Sequence, residues 1–252
     1  MKQSNQLISG DQRSILIWSF NNNNNSWICT QTIQAHNDWI DCLILNNNED
    51  LFISSSNDKT IKFWIKQNEW ICQQTITDHN SYVNQLSLNE QQNQVISCGS
   101  DKLILIIEQS QNNKNWIVKQ KIEVGCEGYR LCFINNNLFT FQPRSGNLMY
   151  VYEMNSVSQQ FTKSKKITLN QQGNDYSTLF PQQFVKQKQL LMNKHLKSIN
   201  LIRLTQNSEF KVEQSIQFGT ISIYGQLSHD GEYLITWDGE SKEIQIRKFR
   251  EE

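Results

Sequence analysis

The chain has 252 residues, of which 19% are charged, and 24 basic side chains offset 24 acidic ones to a formal net charge of zero. That balance leaves no overall field to draw the protein toward nucleic acid or acidic lipid, and the length suits one all-β domain. No window approaches the roughly 18 uninterrupted apolar residues of a membrane helix, and the opening "MKQSNQLISG" lacks the apolar centre of a signal peptide, so a cytoplasmic location is expected.

In chain order the apolar residues fall in short β-branched and aromatic runs: "ILIW", "WIDCLIL", "LFIS", "IKFW", "QVIS", "LILII", "RLCFI", "LFTF", "LMYVY", "INLIRL", "YLIT" and "EIQIRKF". Each spans four to eight residues and is bounded by Asn, Asp, Gly or Ser, which is the pattern of strands joined by turns. No helix-period segment of twelve residues competes, so the fold class is all-β. Between the runs lie tracts rich in the 29 Asn and 29 Gln, at 21–25, 46–48, 89–94, 111–115 and 135–137. These are too polar for a core and read as loop filler. The "DGE" segments at 230–232 and 238–240 read as turns with strands on either side.

A repeat runs through this pattern. "WICTQTIQAHNDWIDCLILNNNEDLFISSSNDKTIKFW" (27–64) laid over "WICQQTITDHNSYVNQLSLNEQQNQVISCGSDKLILII" (70–107) matches Trp27 to Trp70, Cys29 to Cys72, Thr32 to Thr75, His36 to His79 and Asp58 to Asp101, each at an offset of 43. Weaker copies run over 116–153, 161–204 and 210–249. Periods of 43 to 50 with four strands in each indicate β-propeller blades. The unit resembles the WD40 repeat, with a His before the first strand, a Ser in the second, an Asp in the tight turn and a Trp ending the third. Blades are expected at roughly 1–34, 35–77, 78–122, 123–167, 168–216 and 217–252 within one domain. About six blades are then represented, the first lacking its first strand and the last its fourth. Closed propellers of this family usually have seven, so about one blade and the closing strand are lacking, and the segment is expected to be the C-terminal, targeting part of a longer protein or the product of an N-terminally truncated gene. Alone, it would leave strand edges open to another chain.

The resemblance implies a structural tetrad in which the Asp58 carboxylate anchors His36, the imidazole reaches the Ser54 hydroxyl, and the Trp64 indole closes the chain. The next blade repeats it at His79, Ser97 and Asp101, with Ile107 in place of the Trp. Thr60 reads as a strand former with no further role. A hydrolytic triad of His36, Ser54 and Asp58 is set aside, because no nucleophile elbow is present and the group recurs in the next blade. Along the chain the tetrad fades: in the third copy Arg144 or Gly146 occupies the Asp region, and in the last Thr236 stands for the Ser while Arg247 falls near the Trp position.

Functionally, the resemblance implies a non-catalytic scaffold that binds other proteins. Trp39 and Tyr82 are equivalent positions three residues after His36 and His79, placed by the resemblance on the narrower face where relatives bind peptides, and they are the candidate partner anchors. The recurrent "WIC" at 27–29 and 70–72 loosely resembles the WD40 subunit of cytosolic iron–sulfur cluster assembly, an alternative reading. A propeller enzyme is a further class, but Asp38, Asp41, Asp78 and Asp175 have no spacing that argues for shared chemistry, and no Gly-rich phosphate loop occurs. Cys29, Cys42, Cys72, Cys98, Cys126 and Cys132 form no CxxC and no zinc spacing with the four His, so reduced cysteines half-buried in strands are expected, with no metal, cofactor or small-molecule substrate inferred. Lys163, Lys165 and Lys166 read as a solvated strand rather than a nucleic-acid patch.

Overall fold

The computed structural model describes residues 5–176 and 178–249. Among them the regular structure is strand throughout, apart from a 3-10 turn at Lys186–Lys188, in two units covering Met1–Glu123 and Val124–Glu252.

The first unit holds three sheets. Strands β1 (Gln6–Asp11), β2 (Ser14–Asn21) and β3 (Ser26–Gln34) form a three-stranded meander. The second sheet is β4 (Ile40–Leu45), β5 (Leu51–Ser56), β6 (Ile61–Lys66) and β7 (Trp70–Ile76). The third is β8 (Val83–Leu88), β9 (Gln94–Gly99), β10 (Leu103–Gln109) and β11 (Trp116–Glu123). Every neighbour in these meanders is antiparallel, as short hairpin connections dictate.

Alternation along the strands sends apolar side chains to both faces of the second sheet. Phe52, Trp64 and Trp70 pack on Ile15 and Ile17 of the first sheet. On the opposite face Ile53, Ile61 and Phe63 pack on Val95, Leu105 and Trp116 of the third. Phe63 stacks on Trp116 with ring centroids 4.7 Å apart, a geometry that adds to the burial itself.

The second unit repeats the plan. Strands β12 (Gly128–Asn135), β13 (Leu138–Pro143), β14 (Ser145–Met154) and β15 (Phe161–Asn174) make the fourth sheet. The fifth is β16 (Gln183–Val185), β17 (Leu190–His195), β18 (Ser198–Leu204) and β19 (Phe210–Gln217). The sixth has three strands, β20 (Ile223–Leu227), β21 (Tyr233–Asp238) and β22 (Ile244–Lys248). Met149, Val151 and Ile167 of the fourth sheet meet Leu191 and Ile202 of the fifth. Leu190, Ile199 and Leu201 of the fifth meet Ile223, Leu227 and Leu234 of the sixth.

One blade edge needs correcting. The break expected between residues 167 and 168 falls inside β15, because after a register shift β14 and β15 pair again at Ser145 with Asn174 and Gly146 with Gly173. The backbone of Gly173 and Asn174 thereby completes the ladder.

A shared irregularity outlasts the sequence repeat. The last two strands of each sheet shift register at Ile17/Trp18, Phe63/Trp64, Ile106/Ile107, Val151/Tyr152 and Leu201/Ile202, so five sheets carry the same bulge at the same place.

The polar tracts do lie in turns, but filler understates them. Asn46 accepts N–H groups from Asp50 and Leu51, and Asn89 accepts the matching pair from Asn93 and Gln94, 43 residues on. With few glycines to hand, the hairpin tips set other residues in the left-handed region, among them Glu49, Lys59, Gln92 and Lys102 at φ between 59° and 71°.

Candidate functional site

The loop into β4 and the turn into β6 bring four polar side chains together in the second sheet. Trp64 donates its indole N–H to Ser54 Oγ at 2.9 Å, and Ser54 Oγ lies 2.7 Å from His36 Nε2. His36 Nδ1 is 2.9 Å from Asp58 Oδ2. Because the ionised Asp58 can only accept, Nδ1 is the protonated nitrogen that donates to it, and in the neutral ring Nε2 then accepts the Ser54 hydroxyl proton. A neutral ring satisfies every bond. Burial holds the His36 pKa below its ordinary value, against the pull of Asp58.

Asp58 also accepts N–H groups from Asn37 at 3.0 Å and Thr60 at 3.0 Å, together with the Thr60 hydroxyl at 2.6 Å. Burial alone would raise its pKa, but the Thr60, Asn37 and His36 bonds outweigh that and bring it to about 2. Thr60 is therefore a fifth member of the cluster, and its hydroxyl also stands 3.2 Å from His36 Nδ1. Strand propensity hid this role.

In the third sheet His79 Nδ1 is 2.8 Å from Asp101 and its Nε2 is 2.8 Å from Ser97, while the buried Ile107 occupies the indole position. Leu103 replaces Thr60 there, so Asp101 receives its backbone N–H but no hydroxyl. Two sheets carry fragments that sequence reasoning passed over or only half read. Trp18 donates to Ser9 at 2.9 Å in the first, and the Arg247 guanidinium donates to Thr236 at 2.8 Å in the sixth. Ser54 and Ser97 are fully buried, so neither hydroxyl is presented to a substrate.

These clusters clamp the loops that carry Trp39 and Tyr82. The Trp39 carbonyl accepts the Asn57 N–H at 2.9 Å, and the Tyr82 carbonyl accepts that of Ser100 at 2.9 Å. Gly99 passes so close that a Cβ there would stand 2.5 Å from the Tyr82 oxygen. The backbone is thus pinned while the rings stand out, Trp39 58% and Tyr82 48% exposed. Beside Trp39, Asp38 caps the Trp39 N–H, and burial together with the Asp38 charge raises Asp41 to about 6.

A second missed feature ties neighbouring sheets. The Gln31 side chain both donates to the Trp70 carbonyl (2.9 Å) and accepts from the Trp70 N–H (3.0 Å). Gln74 does the same to Trp116 at 2.6 and 2.8 Å. In each case an outer-strand amide imitates a peptide group. The shared Gln in "TQTI" and "QQTI" at the 43 offset was the available signal.

In the second unit a different polar core stands in place of the His–Asp pair. Asp175 is bonded by Arg130 Nη1 at 3.0 Å and Lys194 Nζ at 2.5 Å, all three fully buried, and Arg130 Nε donates to the Phe180 carbonyl at 2.7 Å. Burial and then the Arg130 charge lower Lys194 to about 8. At the surface Arg144 pairs with Glu127 at 3.0 Å and lies over the rings of Tyr129 and Tyr176.

None of the six cysteines forms a disulfide among the described residues. Cys29 and Cys72 are exposed rather than half-buried, because their side chains alternate outward on the outer strands, near Thr32 and Thr75 hydroxyls at 3.6 and 3.8 Å. Cys126 lies in the bend after β11, outside any strand. Among the described residues no three His, Cys, Asp or Glu side chains are grouped as a metal ion would require, and no helix is long and apolar enough to cross a membrane.

Comparison with known proteins places this geometry. Residues 27–64 and 70–108 match the model of the WD domain, G-beta repeat. These segments are WD40 repeats. A stretch of 43 residues is 44% identical to nuclear distribution protein PAC1 of Candida dubliniensis and 42% identical to the protein of that name from Candida tropicalis. Each match spans 17% of this chain and only 9% of the relative. A chain in the crystal structure of the mitotic checkpoint complex is similar over 98% of this chain and 72% of its own length, with a TM-score of 0.76 at 16% identity. At that identity the likeness speaks for fold alone. The WD40 repeats therefore belong to an all-β propeller fold, and the four sheets outside the two matched repeats follow it by strand order, three of them also by the bulge.

Proposed function

We propose that this WD40 protein is a non-catalytic scaffold, located in the cytoplasm, that binds other proteins through the loop surface bearing Trp39 and Tyr82. The observation that carries the reading is the pairing of pinned backbone with exposed aromatic ring at two equivalent positions. A preorganised aromatic loses little conformational freedom on binding, which is why such residues dominate interface energetics. The buried clusters support the same reading, since they spend His, Ser and Asp on rigidity and keep the Ser54 and Ser97 hydroxyls out of reach. That a structural neighbour belongs to a multiprotein complex is in keeping with it.

The test is affinity purification of the tagged chain with Trp39→Ala and Tyr82→Ala together, read by mass spectrometry. Loss of specific partners with an unchanged thermal midpoint is expected. An unchanged set of partners overturns the anchor role.

A further inference from the structure

Arg144 stands in the turn between β13 and β14, where the first unit puts Asp58 and Asp101 in the corresponding hairpins. Those carboxylates accept from buried imidazoles, whereas a guanidinium can only donate. The Arg144 backbone is fixed on both sides: its N–H donates to the Glu127 carbonyl at 2.9 Å, and its own carbonyl accepts the Asp175 N–H at 2.8 Å. The guanidinium lies 5.8 Å from the Tyr129 ring centroid and 5.5 Å from that of Tyr176, and Nη1 donates to Glu127 at 3.0 Å. Two rings and a carboxylate thus hold its plane in one orientation, which leaves little freedom to be lost on binding.

Beside it is a donor that the fold leaves unused. Tyr129 is only 9% exposed, yet among the described residues nothing bonds to its hydroxyl, where a buried polar group is ordinarily satisfied. The charges of Arg144, Glu127, Asp175 and Arg130 all act on this hydroxyl, and burial holds its pKa above the ordinary value, so it stays an O–H donor at neutral pH. Among the described residues the surrounding cluster holds three cations, Arg130, Arg144 and Lys194, against two carboxylates, Asp175 and Glu127. That is an excess of one positive charge, which a single carboxylate balances and a doubly charged phosphate overshoots. Around the donors the surface is apolar: Tyr176 is 62% exposed, and Leu179 of the same loop 50%.

We propose that Arg144 and the Tyr129 hydroxyl together bind a carboxylate of a partner protein, an Asp or Glu side chain whose apolar neighbours cover Tyr176. One carboxylate oxygen accepts from the guanidinium, the other from the Tyr129 O–H, while Glu127 keeps its own side of the fork. Arg and Tyr are the residue types on which interface energy concentrates. This site belongs to the second unit and does not rest on Trp39 or Tyr82.

Fluorescence anisotropy of a labelled peptide bearing Glu between two Leu, titrated with the purified chain, tests this against the same peptide carrying Gln or phosphoserine in place of the Glu. Saturable binding of the Glu peptide is expected. Tyr129→Phe should weaken it about fivefold and Arg144→Gln roughly tenfold or more, both at an unchanged thermal midpoint. If Arg144→Gln does not fold, Tyr129→Phe, which removes only the hydroxyl, decides alone. No binding of the Glu peptide, equal binding of the Gln peptide, tighter binding of the phosphoserine peptide, or indifference to Tyr129→Phe overturns the proposal.

Discussion

Trp64 reaches Ser54 through its indole N–H at 2.9 Å, whereas 43 residues later Ile107 leaves Ser97 with His79 alone. The same hairpin therefore exists with and without the last link of the chain. Trp64→Phe keeps most of the ring's packing and removes the donor. It is expected to cost about 1–3 kcal/mol, the penalty for weakening a buried hydrogen-bond network, read as a lower urea midpoint with an unchanged slope.

The glutamine link makes a second prediction. Gln74→Ala removes both bonds to the Trp116 peptide group, and Gln74→Glu removes the donor to its carbonyl while placing a charge beside it. Each is expected to cost about 2 kcal/mol in denaturant unfolding, with hydrogen exchange faster at Trp116 than at strands within the second sheet.

Asp41 and Asp58 respond to pH with opposite signs. The folded-state pKa of Asp41 is raised to about 6 by burial and Asp38, so its protonated form is favoured on folding and that contribution is lost as pH rises through about 6. Asp58 stands at about 2, so its contribution is present above the ordinary carboxylate range and lost as pH falls toward 2. Asp41→Asn should then stabilise the protein at pH 7.5 by roughly 1–2 kcal/mol, allowing for partial solvent screening, and do almost nothing at pH 4. A gain of equal size at both values contradicts the assignment.

Asp175→Asn leaves Arg130 and Lys194 buried without their carboxylate. Breaking such a group from one side is expected to cost about 3–5 kcal/mol, read as a large drop in the midpoint of the second unit's unfolding transition.

The strands were legible because Val, Ile, Leu and aromatic runs alternate with Asn and Asp tracts, and the blade period because Trp27, His36 and Asp58 recur at one offset. The third to fifth copies kept the strand rhythm but not the full set of polar marks, and bulges in the fourth and fifth sheets reveal their kinship. Thr60 was opaque because a strand former and a hydrogen-bonding partner look alike in sequence. Arg130, Asp175 and Lys194 were opaque for another reason: 45 and 19 residues separate the carboxylate from its two cations, and neither spacing repeats. The blade edge was set before the end of β15 because "NQQGN" carries no apolar run, yet it lies in the strand.

Twelve described residues other than glycine sit at left-handed φ, most at hairpin tips, and each carries strain of about 1 kcal/mol that a Cβ imposes. Glycine at these tips would relieve the strain and return part of it as unfolded-chain entropy, a net gain of a few tenths of a kcal/mol per site. The molecule thus holds an untapped reserve of heat resistance, spread thinly around its periphery. Drift in those loops can toughen the protein without touching Trp39 or Tyr82.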